Sequence, residues 1–345
     1  MADELISTSF YDHVIDVISK AKTQAMNAVN MSMVYAYYET GRAIVEEEQN
    51  GADRASYGKE VIKNLSIKLT EQFGRGFSVE NLKLMRRFYK VYSTEQIGQK
   101  PSAQSTEIVG SEQHSFCLSF SHYAFLIRIS NAEERRFYEI EAYNSRWSLP
   151  ELRRQFDSSL YERIALSRDK EGVKRLAEEG QIIETPEDML KDPYVLEFTG
   201  LPELASYSEN ELETRIIDHL QEFLLELGKG FTFVGRQVRF TFEDEQFRVD
   251  LVFYNRLLKC FVLFDLKIGT LKHQDIGQMQ MYVNYYDRKV KLPDENKTIG
   301  ILLCKNKNDA IVEMTLPEGN DQIYASRYMT VLPSKEELKK LMDDD

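Results

Sequence analysis

Cysteine is scarce in this chain, with three residues, at 117, 260 and 304, in 345. They are odd in number, widely spaced and without a CxxC pair. That excludes a disulfide framework and a zinc-ribbon site and fits a reducing compartment, so a cytoplasmic location is expected. Long apolar runs are missing as well. The stretch Cys260-Phe-Val-Leu-Phe264 is far too short to cross a bilayer. The opening Met1-Ala-Asp-Glu-Leu5 has no basic segment leading into an apolar one. Neither a membrane span nor a signal peptide is therefore expected. Positive charge is in deficit, 44 Lys and Arg against 56 Asp and Glu, a net −12. Taken over the whole chain this counts against a polyanion partner, because phosphate binding rests on Lys and Arg. The deficit is not uniform. Residues 54–92 hold nine Lys and Arg (54, 59, 63, 68, 75, 83, 86, 87, 90) against three Glu (60, 71, 80). A basic face on an acidic body is compatible with nucleic acid.

The composition, 42% apolar and 29% charged, is that of a globular protein long enough for two domains. The first ~165 residues read as helical by their spacing of apolar residues at three and four. One helix runs from Tyr11 to Glu48 and stops at Gly51-Ala52; another runs from Tyr57 to Phe73 and stops at Gly74-Arg75-Gly76. Ser78 then N-caps a helix that turns Leu82, Met85, Phe88 and Tyr89 inward. Residues 95–117, rich in Ser and Gln, read as a loop. Helices follow at 121–129, 132–144 and 149–167, the last opened by the capping box Ser148-Leu-Pro-Glu151. Residues 169–204 read as a helical connector punctuated by Pro186, Pro193 and Pro202.

The character changes after 205. A long helix at 209–227 precedes three strands, 231–242, 247–254 and 258–267, rich in Phe, Val and Leu with polar alternation. A helix at 274–287, a strand at 298–304, a short helix, a strand at 324–332 and a helix from Ser334 complete an α/β (α+β) core of ordinary domain size.

Two acids in this core stand out. Asp250 lies in Phe247-Arg-Val-Asp-Leu-Val-Phe-Tyr254, and Asp265 lies fifteen residues on in Phe264-Asp-Leu-Lys267. An ionised Asp in an apolar strand is expensive to bury without a partner. Strand alternation puts Asp265 and Lys267 on one face, and a turn after Tyr254 brings Asp250 and Asp265 towards one end of the strand pair. Two carboxylates and an ammonium suit metal-assisted phosphodiester hydrolysis. The carboxylates hold Mg²⁺, the ion polarises phosphate and lowers the pKa of a bound water, and a lysine of depressed pKa positions or deprotonates that water. The same residues also suit a buried ion pair of Asp265 or Asp250 with Lys267 or Arg248.

The pattern Asp250…Asp265-Leu-Lys267 resembles the PD-(D/E)XK nuclease superfamily. More closely, Phe223-Leu-Leu-Glu-Leu-Gly-Lys-Gly-Phe231, Val234-Gly-Arg-Gln237 and Asp250-Leu-Val-Phe-Tyr254 resemble its YhcG-type branch. The likeness reaches into the first half through Tyr57-Gly-Lys59, Phe73-Gly-Arg-Gly-Phe-Ser78, Arg87-Phe-Tyr89, Ser121-His-Tyr123 and Trp147-Ser148. The resemblance implies a restriction-endonuclease-like C-terminal domain, a central mixed sheet flanked by helices, after a mainly α-helical, winged-helix-like N-terminal region. It implies Mg²⁺, with Mn²⁺ as a substitute, held by Asp250, Asp265 and Glu213, the last as outer acid. It adds Gln278, four residues before Tyr282, as a candidate that contacts DNA or orients the water, and Gln280 as a second; a solvent-facing amide fits either Gln as well. Valine 249 stands where the superfamily's proline would be, and Asp265 replaces the commoner, longer Glu.

Phe73–Ser78 between two helices also reads as a helix-turn-helix, with Lys83, Arg86, Arg87 and Lys90 outward for phosphate contacts and Arg153 and Arg154 on a comparable helix. Tyr282 completes the candidate nucleic-acid contacts. The expected organisation is a helical DNA-binding domain over 1–168, a connector over 169–204 and a nuclease domain over 205–345. The expected function is a Mg²⁺-dependent DNA endonuclease serving repair, recombination or defence against foreign DNA, with a homodimer suited to two-strand cleavage. The alternatives are a DNA-binding or assembly protein that keeps the nuclease fold with little activity, and a protein-interaction scaffold.

Overall fold

A computed structural model describes residues 8–50, 55–94, 116–165, 170–203, 206–242, 245–307 and 309–334. Most of the expected loop at 95–117 and nearly all of the helix expected from Ser334 lie outside the described residues. The chain divides into two compact units, Met1–Arg135 and Arg136–Asp345.

The first unit is built from α1 (Thr8–Asn50), α2 (Ala55–Phe73), α3 (Val79–Thr94), α4 (Phe120–Leu126) and the start of α5 (Ala132–Asn144). Gly74 and Gly76 take positive φ, 80° and 120°, and end α2, as glycine permits. Ser78 then caps α3, accepting the Asn81 N–H at 3.3 Å. Leu82 and Met85 of α3 pack with Ile44 of α1, and Phe88 of α3 meets Tyr38 of α1. Gly41 of α1 lets the two helices touch, since a Cβ there would strike the Met85 carbonyl. Aromatic rings close the core, Phe88 lying 4.9 Å from Phe116 and 5.0 Å from Tyr123. The unit is helical, as expected. The wing of a winged helix has no counterpart among its described residues.

The first half of α1 behaves differently. From Phe10 to Asn30 every residue is exposed. At 100° per residue, Phe10, Tyr11, Val14, Ile15, Val17, Ile18, Met26 and Val29 fall in one half of the helix circumference, with Asp12, Asp16, Lys20 and Asn27 in the other.

The second unit carries α6 (Leu149–Asp157), α7 (Leu160–Ala165), α8 (Lys170–Glu179), α9 (Pro186–Met189), β1 (Tyr194–Val195), α10 (Glu209–Asp218), α11 (Leu220–Leu227), β2 (Phe231–Phe242), β3 (Glu245–Asn255), β4 (Cys260–Thr270), α12 (His273–Tyr285), β5 (Ile299–Asn306), α13 (Asp309–Thr315) and β6 (Ile323–Met329). The sheet order is β1-β6-β5-β4-β3-β2. β2, β3 and β4 are antiparallel, whereas β5 pairs parallel with β4 and β6. The β3–β4 hairpin turns on Asn255, whose Oδ1 accepts the N–H groups of Leu257 and Leu258 at 3.0 and 3.2 Å. One sheet face packs Phe253, Phe264 and Leu303 against Leu212 and Ile216 of α10 and Phe223 of α11. The other packs Val252, Leu263 and Leu302 against Ile276, Met279 and Val283 of α12. Glycine at 300 permits that close approach, because a Cβ there would lie 2.5 Å from Met279 Sδ.

Three expectations change. The helix at 149–167 is two helices, because Ser159 turns to φ 53° and Ser158 serves Arg163 instead, its carbonyl accepting Nε at 2.8 Å. The helix at 209–227 breaks at His219, φ −119° and ψ 40°. The connector supplies β1, which pairs with β6 as an edge strand.

α6 and α7 belong to the sheet unit, because their arginines are tied to Glu226 of α11, which is fully buried. Arg163 Nη1 lies 2.5 Å from Glu226 Oε1 and Arg154 Nη1 2.8 Å from Oε2. The ammonium of Lys191 donates to the Glu226 carbonyl. Burial alone would raise the Glu226 pKa, but Arg163, Lys191 and Arg154 together outweigh it and hold the acid well below the carboxylate range. Burial pushes Lys191 down to about 8.

Candidate active site

The acids meet where the hairpin ladder opens. β3 and β4 are paired from Asn255–Cys260 to Leu251–Phe264, and the next residues in that register are Asp250 and Asp265. The strands part there, and Asp250 Oδ2 accepts the Leu266 N–H at 2.8 Å. The carboxylate thus satisfies a backbone donor that the ladder no longer serves. Asp265 and Lys267 alternate with the core residues Phe264 and Leu266 and therefore share the opposite face. Lys267 Nζ lies 2.7 Å from Asp265 Oδ2.

Glu213 reaches the same place from α10. It is 2% exposed. Its Oε1 stands 3.2 Å from Arg236 Nε, and its Oε2 accepts from the amide of Gln237. Gln237 Nε2 also donates to Asp250 Oδ1 at 3.1 Å. The register explains the bridge, since Arg236 pairs with Leu251 and Val238 with Val249, leaving Gln237 opposite Asp250.

The electrostatics follow from burial. Asp265 is 3% exposed. Burial and the charge of Asp250 together exceed the attraction of Lys267 and raise its pKa well above the ordinary carboxylate range. Glu213 is raised by burial and by Asp250, against the hydrogen bond from Gln237. Lys267 departs from expectation: burial lowers it, but Asp265 outweighs burial and leaves it above its ordinary value. A lysine so paired is a charged group, not a free base.

α12 places the two candidate glutamines differently. Gln278, half-buried, donates to the Tyr282 hydroxyl at 2.5 Å. Gln280, also half-buried, makes no hydrogen bond to the carboxylates. Tyr282 was expected to touch nucleic acid, but it is 1% exposed because it shares the inward stripe of Ile276, Met279 and Val283. Burial, with a contribution from Asp265, pushes its hydroxyl up to about 12. Tyr282 is therefore a wall of the acidic cluster and not a surface contact.

The basic candidates separate as well. Lys83, Arg86, Arg87 and Lys90 line an open concavity on α3 together with Glu80 and Leu84. Within it Arg86 Nη1 lies 2.5 Å from Glu48 Oε1 and Lys83 Nζ 2.7 Å from Glu80 Oε1. Arg153 is exposed on α6. Arg154 is not available for phosphate. Its Nε donates to Glu197, Nη1 to Glu226 and Gln155, and Nη2 to Val195 O and Glu197. Those five bonds use all of its donors.

A family profile for the YhcG PDDEXK nuclease domain matches residues 187–343, and one for the DUF1016 N-terminal domain matches residues 13–163. An Escherichia coli (strain K12) protein named "Putative nuclease YhcG" is 39% identical over 351 residues, spanning 97% of this chain and 92% of its own length. The chain belongs to the YhcG family of PD-(D/E)XK nucleases. It is a nuclease of that type. Among solved structures, a repair endonuclease from Pyrococcus abyssi is 18% identical over 39% of this chain and 50% of that one, at a TM-score of 0.25. The EndoMS-dsDNA2 complex is 18% identical over 39% of this chain and 49% of that one, at 0.27. This chain spans about half the length of each. No helix among the described residues is long and apolar enough to cross a membrane.

The residues fit a hard divalent ion. Glu213, Asp250 and Asp265 offer only carboxylate oxygens, the donor set that Mg²⁺ and Mn²⁺ take. Two of the three have raised pKa values, chiefly because burial disfavours the charged form and secondarily because the Asp250 charge lies near. Among the described residues no three such groups yet converge on one point. The Gln237 amide and the Lys267 ammonium stand among them instead.

Proposed function

We propose that this nuclease is a divalent-metal-dependent DNA endonuclease, using Mg²⁺ with Mn²⁺ as a substitute. The observation that carries the reading is the gathering of Glu213, Asp250, Asp265 and Lys267 at the opened end of the β3–β4 ladder. The three carboxylates would hold the ion. Bound there, it supplies a Lewis acid and a water of lowered pKa. Asp265 fixes the Lys267 ammonium and keeps it charged, so that Lys267 offers positive charge to the phosphate as negative charge builds on it. Phe264 and Leu266 anchor the strand beneath, which holds these groups still.

DNA as the substrate is supported by the cationic concavity of α3, where Lys83, Arg86, Arg87 and Lys90 stand together in an otherwise acidic protein. A homodimer is supported by α1, whose apolar half-circumference is exposed from Phe10 to Val29. An isolated helix of this kind is marginal in water and gains from a second apolar face.

The test is cleavage of supercoiled, branched and single-stranded DNA in Mg²⁺ or Mn²⁺ and in chelator, for the native chain and Asp250→Ala. Cleavage that requires the ion and is lost in the variant is expected. Cleavage in chelator, or equal cleavage by both proteins, refutes the reading.

A further inference from the structure

Gln237 has no role in the nuclease chemistry set out above, yet its geometry is unusual. It lies in β2, flanked by residues paired to β3, and takes φ 48°, a left-handed conformation uncommon for a side chain of this length. Such strain persists only where the surroundings enforce it. The result is that its amide nitrogen donates to two acids at once, Glu213 and Asp250.

The other Asp250 oxygen is committed elsewhere, whereas the other Glu213 oxygen is buried without a hydrogen-bond partner. Asp250 Oδ2 accepts a backbone N–H of β4, at 2.8 Å, that cannot move without distorting the strand. Glu213 Oε1 faces Arg236 at 3.2 Å. Gln237 bridges one oxygen from each acid, Glu213 Oε2 and Asp250 Oδ1. An amide NH₂ offers two positive hydrogens from a single centre. It therefore supplies, weakly, what a cation between two carboxylates supplies strongly.

We infer that Gln237 is a positioning residue that acts as the cation's placeholder. It holds Glu213 and Asp250 together in the ion-free site, and it must let go of both when the ion enters. The inference rests on the metal-dependent reading above. It implies that Gln237 competes with the ion, so that removing its amide strengthens ion binding.

The test is Mn²⁺ titration of the full chain, without DNA, followed by calorimetry and by the loss of the free Mn²⁺ paramagnetic signal. Native protein, Gln237→Ala, Gln237→Gly and Asp250→Ala are compared. Glycine suits the positive φ, so that variant removes the amide while relieving strain. Both Gln237 variants are expected to bind Mn²⁺ about tenfold more tightly, the scale of hydrogen bonds to a charged group. Their Mn²⁺-induced rise in Tm is expected to be larger than that of the native chain. Unchanged or weaker binding in both variants, with native binding intact and Asp250→Ala binding lost, overturns the placeholder and leaves the metal site standing. If the native chain binds no Mn²⁺, both readings fall.

Discussion

Lys267 Nζ stands 2.7 Å from Asp265 Oδ2, and the two side chains are 18% and 4% exposed. This pair sets the charge state of the site, because Asp265 holds the ammonium on while burial and Asp250 work against the carboxylate. Lys267→Ala is expected to cut the cleavage rate by about 10²–10³, as removal of one charge-stabilising donor does. Plasmid nicking under single-turnover conditions reads this. A variant within a factor of two of the native rate contradicts the assigned role.

Arg154 and the α3 residues give opposite expectations. Changing Lys83, Arg86 and Arg87 together to Ala is expected to weaken DNA binding and to flatten its salt dependence by about 2–3 in log–log slope. Arg154→Ala leaves DNA binding unchanged and lowers stability by about 3 kcal/mol, because it removes one cation from the buried Glu226. Fluorescence anisotropy over a salt series, beside thermal melts, separates the two. Loss of affinity in Arg154→Ala at full stability contradicts the structure.

Glu226 makes stability depend on acid. Its pKa in the folded state lies below the ordinary 4.5, so its contribution is complete above that pH and is lost as pH falls through the folded value. Native Tm is expected to drop as the solution is acidified below about 4.5. Glu226→Gln is expected to be less stable at pH 7 by about 3–5 kcal/mol, since it leaves the buried Arg163 without its carboxylate partner. Its further loss below that pH is expected to be shallower than the native one. Parallel slopes in scanning calorimetry refute this account.

The exposed apolar arc of α1 predicts self-association. Ile15→Glu with Ile18→Glu, two residues 63% and 62% exposed, is expected to convert a dimer into a monomer without lowering Tm of the rest of the chain. Sedimentation velocity decides it, and a native chain that sediments as a monomer at micromolar concentration removes the claim.

Much of the catalytic unit was legible in the sequence because strands and one-sided helices carry their period openly. The alternation of Phe, Val and Leu located β2, β3 and β4, and the turn after Tyr254 brought Asp250 beside Asp265. The capping box of α6 is also present, with Ser148 N–H on Glu151 at 2.6 Å. What escaped was decided by distant partners. Ser159 breaks a helix beside Arg163, which folds back to Ser158 and across to Glu226. β1 is too short to carry a pattern and exists through its pairing with β6. The positive φ of Gln237 leaves no trace in composition. Tyr282 was legible after all: Ile276, Met279 and Val283 mark the inward stripe on which it sits.

Glu226 has a practical consequence for anyone dissecting the protein. The nuclease profile begins at residue 187, which invites excision of that part alone. The cut would discard Arg154 and Arg163 while retaining the buried acid that they neutralise, leaving Glu226 with Lys191 as its remaining cation. The indivisible piece is therefore longer than the homology suggests. A minimal fragment has to start upstream of α6, and shorter ones should be recovered as aggregates whatever the state of the catalytic residues.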